Sequence, residues 1–211
     1  MTEPDSTILA TSGPPLDYSF QELRSLKDLG SHEPIMGTRI RKPKSPRANE
    51  KIGARPSERL HVVKIREITT AIRLAYNSLQ SLEGLAEEAS IVIEDCSMIS
   101  WVDLSHNQLE SIGNVLGCFP NLRALYLHGN RISRLAPFLE QVSLSCPNLR
   151  KLTLFGNPVE EKKFYRWNVV HAFPQLQSLD FIRVTKSDRI LAEIWSHTHK
   201  RKTETKSNSP N

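Results

Sequence analysis

The chain has 211 residues, of which 28 are basic and 23 acidic, so its formal net charge is +5. This length suits one folded domain with tails, and no hydrophobic run approaches the roughly 18 apolar residues of a transmembrane helix. The three cysteines are odd in number and lack the spacing of a metal site. With no signal-peptide pattern near the N-terminus, free thiols are expected, in a reducing, cytoplasmic compartment.

The N-terminal part is predicted to contain two different segments. Residues 1–13 are expected to be disordered, whereas residues 14–30 are expected to form an arm with an amphipathic helix. Its apolar residues recur near helical spacing: Phe20, Leu23, Leu26 and Leu29. A single helix without its own core must bury its apolar face, either on the rest of the chain or on another protein. The sequence leaves both possibilities open, and in the second the partner-binding residues are Tyr18, Phe20 and Leu23.

Basic residues are concentrated outside the central part of the chain. Residues 39–59 hold eight basic against two acidic residues, and residues 196–211 hold four against one. Residues 31–60 are therefore predicted to be a basic linker and residues 200–211 a basic disordered tail. The alternative is that these segments are attracted to an acidic surface, such as nucleic acid, tubulin tails or an acidic protein.

A pattern of apolar residues and one asparagine recurs between residues 61 and 182. In a complete copy, apolar residues occupy positions 1, 4, 6 and 11, and Asn occupies position 9. Three copies begin at Ile99, Leu122 and Leu149, a weaker one at Thr69, and a truncated one at Leu176. This is the pattern of a leucine-rich repeat. It predicts an α/β solenoid, a horseshoe fragment of about four to five repeats with an extended N-terminal arm.

The positions within each copy have distinct structural roles. Positions 4 and 6 point into the core, as in a short strand with one buried face. The Asn lies where the chain leaves the strand, where its amide can hydrogen-bond backbone groups from both sides. We expect a structural ladder of Asn77, Asn107, Asn130 and Asn157. The segments 83–97 and 133–147 are predicted to be helical on the convex side.

The C-terminal end of the repeats is predicted to have a helical cap, because a solenoid must cover its exposed core. A helix is expected over residues 160–172. Thr185 and Asp188 resemble a capping box with Asp in place of Glu. They predict a cap helix over residues 183–199, with one face formed by Ile190, Leu191, Ile194 and Trp195.

The concave face is the candidate binding surface. Its predicted aromatic and imidazole side chains are Trp101, Tyr126, His128 and Phe155, and its predicted polar rim is Arg73, Asp103, Lys151 and Asp180. Exposed aromatic residues are the type that anchors protein interfaces. Two other possibilities are that the arm covers this face, or that the aromatic residues only pack on one another.

Motifs of catalysis are missing from the sequence. There is no Gly-rich phosphate loop, Cys-x-x-Cys pair or Gly-x-Ser-x-Gly. His106 and His128 are expected to be neighbours, but two histidines without further ligands do not make a metal site. The sequence therefore predicts no catalytic residue, cofactor or metal.

Segments throughout the chain resemble the leucine-rich repeat-containing protein 51 family. They are residues 14–20, 101–105, 125–130, 152–154, 156–158 and 184–189. The resemblance implies a small, non-catalytic cytoplasmic protein and suggests a link to cilia. It therefore implies an adaptor, a monomer within a larger complex, whose partners are one or more proteins, axonemal or tubulin-associated, and not a membrane.

Two other functions stay open. The C-terminal cap also resembles that of the intracellular class containing axonemal dynein light chain one and the spliceosomal A′ subunit. The first alternative is thus a nucleic-acid-associated, spliceosomal-type protein, although its basic residues are expected in the flanks and not on the concave face. The second is a regulatory subunit of a phosphatase or kinase.

Overall fold

The computed structural model describes residues 9–37 and 65–207. Its strands are β1 (Leu9–Ser12), β2 (Leu16–Asp17), β3 (Ile65–Ile68), β4 (Ala71–Arg73), β5 (Trp101–Asp103), β6 (Ala124–Tyr126), β7 (Lys151–Thr153), β8 (Ser178–Leu179) and β9 (Ile182–Arg183). The α-helices are α1 (Leu85–Val92), α2 (Leu135–Ser145), α3 (Tyr165–Ala172) and α4 (Lys186–Ser207). Short 3₁₀ turns cover Leu26–Asp28, Cys96–Met98, Val115–Cys118 and Pro158–Glu161.

The repeat strands form one sheet in the order β2-β4-β5-β6-β7-β8-β9. Neighbours from β2 to β8 are parallel, and β9 turns back antiparallel to β8. Position 4 of every copy lies in register, so that Ile72, Val102, Leu125 and Leu152 pair in sequence. These residues and the position-6 leucines are buried in a single core. The predicted α/β solenoid is confirmed, with α1 and α2 within the two segments expected to be helical.

The arm is a strand and a 3₁₀ turn, and not the predicted amphipathic helix. Strand β2 pairs in parallel with β4, so the arm supplies the sheet with a further strand. The buried apolar residues of the arm are Leu16, Tyr18, Leu23, Leu26 and Leu29, each at most 1% exposed. The spacing of three from Leu23 to Leu29 matches the three residues per turn of a 3₁₀ helix. The arm therefore packs in cis and caps the first repeat.

The segments on both sides of the arm also differ from the prediction. Disorder over residues 1–13 is wrong for β1, which pairs in parallel with β3 because the strand edge needs backbone partners. Within the predicted linker 31–60, the Asp17 amide donates to the Met36 carbonyl at 2.9 Å, and the Ile35 amide donates to the Asp17 carbonyl at 2.7 Å. The remaining linker predictions fall on residues 38–60, which lie outside the described residues, as do residues 1–8 and 61–64.

The C-terminal cap is fixed by an ion pair and a capping box. Arg166 donates two hydrogen bonds to the Asp188 carboxylate, both at 2.9 Å. The Asp188 amide donates to Thr185 Oγ1 at 3.1 Å, and the Thr185 amide donates to the Asp188 carboxylate at 2.8 Å. The Arg166 guanidinium holds the pKa of the Asp188 carboxyl below its usual range. The predicted capping box is present and starts α4.

Two boundaries of the cap differ from the prediction. Helix α4 continues to Ser207, so disorder is wrong for residues 200–207, where Lys, Arg and Glu favour helix continuation; residues 208–211 lie outside the described residues. The helix predicted from residue 160 begins at Tyr165, since Phe164 has a left-handed φ of 62°. Within α4 the apolar residues Ile190, Leu191 and Ile194 are exposed, while Ala192 and Ser196 face the core.

Candidate partner-binding surface

A ladder of buried asparagines sets the geometry of the surface. Asn130 Oδ1 accepts from the Leu109 amide at 3.0 Å, and Asn130 Nδ2 donates to the carbonyls of Leu104 and Leu127 at 3.0 and 2.9 Å. Each of these side chains therefore joins its own coil to the preceding one. Equivalent bonds are made by Asn77, Asn107 and Asn157. Through Asn77 the ladder also holds the arm.

In the last coil, an aspartate takes over the role of the asparagines and bonds the backbone of the preceding coil. Asp180 Oδ1 accepts from the amides of Leu154 and Phe155 at 2.6 and 3.1 Å. Its Oδ2 accepts from the Tyr165 hydroxyl at 2.9 Å, which connects the sheet to α3. Burial and this carboxylate both raise the pKa of Tyr165. Asp180, predicted in the polar rim, is thus a structural group.

A charged cluster joins the first three strands of the sheet. Arg73 Nη1 donates to Asp17 Oδ2 at 2.9 Å, and Arg73 Nε lies 3.9 Å from Asp103 Oδ2. The two carboxylates also accept backbone hydrogen bonds, from Ser19 and Ser105 respectively. Of the predicted rim, Asp103 is therefore buried and Arg73 is engaged within the chain. The cluster positions the guanidinium of Arg73 over the Trp101 ring, 6.0 Å from its centroid.

Six rings form a continuous row along the edge of the concave face where the strands end. We call this row the aromatic ladder: Phe20, Tyr76, His106, His128, Phe155 and Phe181. The rings of Phe20, Tyr76 and His106 stack in series, with centroids 4.5 and 4.2 Å apart. His128 meets His106 edge-to-face at 5.1 Å and stacks on Phe155 at 4.6 Å. Phe181 contacts Phe155 at 5.9 Å and completes the row.

Three of the six rings of the aromatic ladder are exposed although they are large and mainly apolar. Phe20 is 66% exposed, Tyr76 49% and Phe181 62%. Phe20, Tyr76 and His106 also adopt left-handed φ angles of 59°, 55° and 53° at equivalent positions of their coils. Such angles cost non-glycine residues about 1–3 kcal/mol and are concentrated at functional positions. The left-handed conformation of these three residues therefore lowers the stability of the fold.

Burial and neighbouring charges shift the pKa of two side chains in or beside the aromatic ladder, His128 and Tyr126. Burial lowers the pKa of His128 and His106 lowers it further, while Asp103 and Asp180 partly oppose the shift. His128 Nδ1 lies 2.9 Å from Thr153 Oγ1, which fixes the ring. Burial raises the pKa of Tyr126, as does Asp103. The Tyr126 ring packs edge-to-face on Trp101, with centroids 5.7 Å apart, and on Phe181 of the aromatic ladder, at 5.5 Å. The aromatic ladder and the strand face therefore form one aromatic surface.

A basic groove lies beside this surface, at the start of strands β5 to β7. It has a volume of about 360 Å³ and is lined by Ser100, Trp101, Arg123, Ala124, Tyr126, Arg150, Lys151 and Gln177. Ala124 pairs with Trp101 on one side and Lys151 on the other, so its small side chain leaves a notch between them. Lys151, predicted in the polar rim, lies here, whereas the expectation that basic residues avoid the concave face is wrong for Arg123 and Arg150.

The structure separates the predicted binding residues into two groups. Tyr18 and Leu23 are buried in the core and cannot contact a partner, because the arm packs in cis. Solvent reaches Trp101, Tyr126, His128, Lys151, Phe155 and Phe20. The prediction missed Tyr76 and Phe181 and treated His106 only as a neighbour of His128. Position 8 of the repeat, which holds Tyr76 and His106, was the available signal.

The described cysteine, histidine and acidic side chains do not form a metal site. Within residues 9–37 and 65–207, no three His, Cys, Asp or Glu residues are placed to hold a metal ion. Cys96, Cys118 and Cys146 are free thiols, and burial raises the pKa of Cys118 to about 11 and of Cys146 to about 12. In the same part of the chain, no helix is long and apolar enough to cross a bilayer.

The parallel strands, asparagine ladder and recurrent register define a leucine-rich repeat protein, and the leucine-rich repeat family model matches residues 69–208. The chain is 36% identical over 195 residues to leucine-rich repeat-containing protein 51 of Macaca mulatta, covering 92% of this chain and 91% of that protein. It therefore belongs to the leucine-rich repeat-containing protein 51 family, as the sequence resemblance indicated.

Two further similarities involve a spliceosomal protein. The U2 small nuclear ribonucleoprotein A′ of Schizosaccharomyces pombe is 40% identical over 82 residues, which are 39% of this chain and 32% of that protein. The crystal structure of the Drosophila melanogaster SNF/U2A′ complex matches with a TM-score of 0.54 and 27% identity, covering 66% of this chain and 75% of the other. These matches support the repeat fold over part of the chain.

Proposed function

We propose that the chain is a non-catalytic adaptor that binds protein partners through the aromatic ladder and the adjoining concave face. The exposed rings of Phe20, Tyr76 and Phe181 carry this proposal, because a row of stacked aromatic residues on a folded surface is typical of an interface. Trp101, Tyr126 and Phe155 extend the same surface. The names of the relatives refer to the leucine-rich repeat or to a ribonucleoprotein, and neither name refers to an enzymatic reaction.

The proposal extends to a cytoplasmic protein of a ciliary, axonemal or cytoskeletal assembly. Its support is the family resemblance, and the partners are accordingly axonemal or tubulin-associated proteins. A protein with an exposed aromatic surface and basic flanking segments can join such an assembly by several weak contacts. Binding at one contact raises the effective concentration at the next, so the overall affinity exceeds that of each contact alone.

The test is affinity capture from ciliated cells with three forms of the full chain. The wild-type chain should capture axonemal or cytoskeletal proteins. Tyr76→Ala with Phe181→Ala should lose most of that capture while keeping the circular dichroism spectrum and melting temperature of a folded solenoid. Leu144→Ala is the matched control, because Leu144 is apolar and 79% exposed but lies on α2. Unchanged capture by the folded double variant would refute the proposed surface.

A spliceosomal role is the second candidate, favoured by the partial match to U2A′. The similar solved structure is an SNF/U2A′ complex, so this role would also involve a partner. Recovery of RNA-processing factors in place of axonemal proteins would support it. Salt-sensitive recovery together with RNA would extend this support to nucleic-acid association.

A further inference from the structure

The basic groove is lined by basic side chains that form no ion pair or side-chain hydrogen bond with the described residues. Among the described residues, no side-chain hydrogen bond or ion pair engages Arg123, Arg150 or Lys151. All three side chains are exposed, and they come from neighbouring coils, since the amides of Arg150 and Lys151 both donate to the Arg123 carbonyl. Adjacent strands are about 4.8 Å apart. Three positive charges that no described side chain pairs therefore line the groove together.

The groove also has an apolar recess. It is lined by the small side chain of Ala124 and by the rings of Trp101 and Tyr126, which contact each other edge-to-face. Its volume of about 360 Å³ is at the lower end of ligand pockets, which span about 300–1,000 Å³. It can admit one or two side chains but not a helix. Its shape and charge together suit an apolar side chain flanked by carboxylates.

We infer that this groove binds an acidic segment of a protein partner, with one apolar side chain in the notch over Ala124 and carboxylates on Arg123, Arg150 and Lys151. The inference rests on the proposed adaptor function and gives the chemistry of one partner. Complementary charge of this kind would set the orientation and the association rate of the complex.

Nucleic acid fits the same groove less well. Base stacking requires an open aromatic face, but the Arg73 guanidinium lies over the Trp101 ring, and Tyr126 meets Trp101 edge-to-face. The positive track also ends at β5, because Asp17 and Asp103 outnumber Arg73 in the adjoining cluster. A phosphodiester strand needs a longer continuous track of cations than the groove supplies.

The test is fluorescence anisotropy of the full chain with a labelled peptide in which a central Phe is flanked on each side by three Glu. Arg123→Glu with Lys151→Glu should weaken binding about tenfold or more, because two attractions become repulsions. Arg131→Glu with Lys162→Glu is the matched control, since both residues are exposed and lie outside the groove; it should stay within about threefold of wild type.

A further variant separates the recess from simple charge attraction. Ala124→Leu fills the notch while keeping every cation, and it should weaken binding of the Phe peptide but leave a Glu peptide with central Ala unaffected. Equal losses in the groove and control variants would overturn the inference. So would tighter binding of a uridine oligonucleotide than of the Phe peptide, or no binding of the peptide by the wild-type chain. These results would leave the adaptor function standing, because the variants of the aromatic ladder test that function separately.

Discussion

The His106 ring lies directly against the backbone of Gly129 in the next coil. A Cβ added to Gly129 would be 2.7 Å from His106 Nδ1, and Gly129 has a φ of 69°. Position 8 of the repeat is thus an aromatic or imidazole residue in the earlier coils, Tyr76 and His106, and a glycine in the next coil, Gly129. The absence of a side chain at Gly129 leaves space for the His106 ring. This contact continues the aromatic ladder from the first coils into the later ones.

Gly129→Ala is expected to destabilise the fold and disrupt the aromatic ladder. The left-handed conformation costs an alanine about 1–2 kcal/mol, and displacement of the His106 ring adds to this loss. Urea unfolding measures the change in free energy. Gly117→Ala is the control, because nothing lies within 4 Å of its added Cβ. Equal stabilities of the two variants would contradict the proposed role of Gly129.

Tyr18→Ala should destabilise the fold far more than Phe20→Ala, although both residues lie in the arm. Tyr18 is fully buried, whereas Phe20 is 66% exposed. Loss of a buried aromatic side chain costs about 3–5 kcal/mol, while Phe20→Ala should cost less than about 1 kcal/mol. Thermal unfolding of both variants tests this difference. If Tyr18→Ala were as stable as wild type, the arm would not form part of the core.

Asn130→Ala should be strongly destabilising for a residue of its size. It removes one acceptor from the Leu109 amide and two donors from the Leu104 and Leu127 carbonyls. Each buried group left unsatisfied costs about 1–3 kcal/mol, so we expect a loss of about 3 kcal/mol or more in chemical denaturation. Asn114→Ala is the control, because Asn114 is exposed and makes no capping bond. A loss of the same size in both variants would contradict the role of the asparagine ladder.

Asp188→Asn should reduce stability in a manner that depends on pH. Arg166 lowers the pKa of the folded-state carboxyl below the ordinary value of 3.8. Its stabilisation is therefore complete above that ordinary value and decreases as the pH falls through the lower folded-state pKa. We expect a difference from wild type of about 1–3 kcal/mol at pH 7, which narrows below pH of about 4.

Urea unfolding between acidic and neutral pH measures that difference. Glu161→Gln is its control, since Glu161 is an exposed carboxyl next to the cap. A difference between Asp188→Asn and wild type that widened as the pH fell would show that the ion pair with Arg166 does not stabilise the cap.

The sequence by itself determined the repeat, its register and its ladder of asparagines. Positions 4, 6 and 9 are local in the chain, and every copy obeys the same backbone requirement, so the repeat pattern alone assigns Asn107, Asn130 and Asn157 to the buried asparagine ladder. The Thr185–Asp188 capping box is equally local, because it spans one helical turn.

Only the tertiary structure decided the fate of the arm and the composition of the binding surface. Helical and 3₁₀ periodicities are similar over a few residues, and the open edge of β4 selected the strand and turn for Leu16 to Leu29. The rings of Phe20, Tyr76 and His106 are separated by at least a whole coil in sequence but stack with centroids 4.5 and 4.2 Å apart. The groove likewise combines Arg123 and Lys151 from different coils. Such contacts depend on how the coils stack, and a pattern within one repeat does not specify the distance between side chains of different coils.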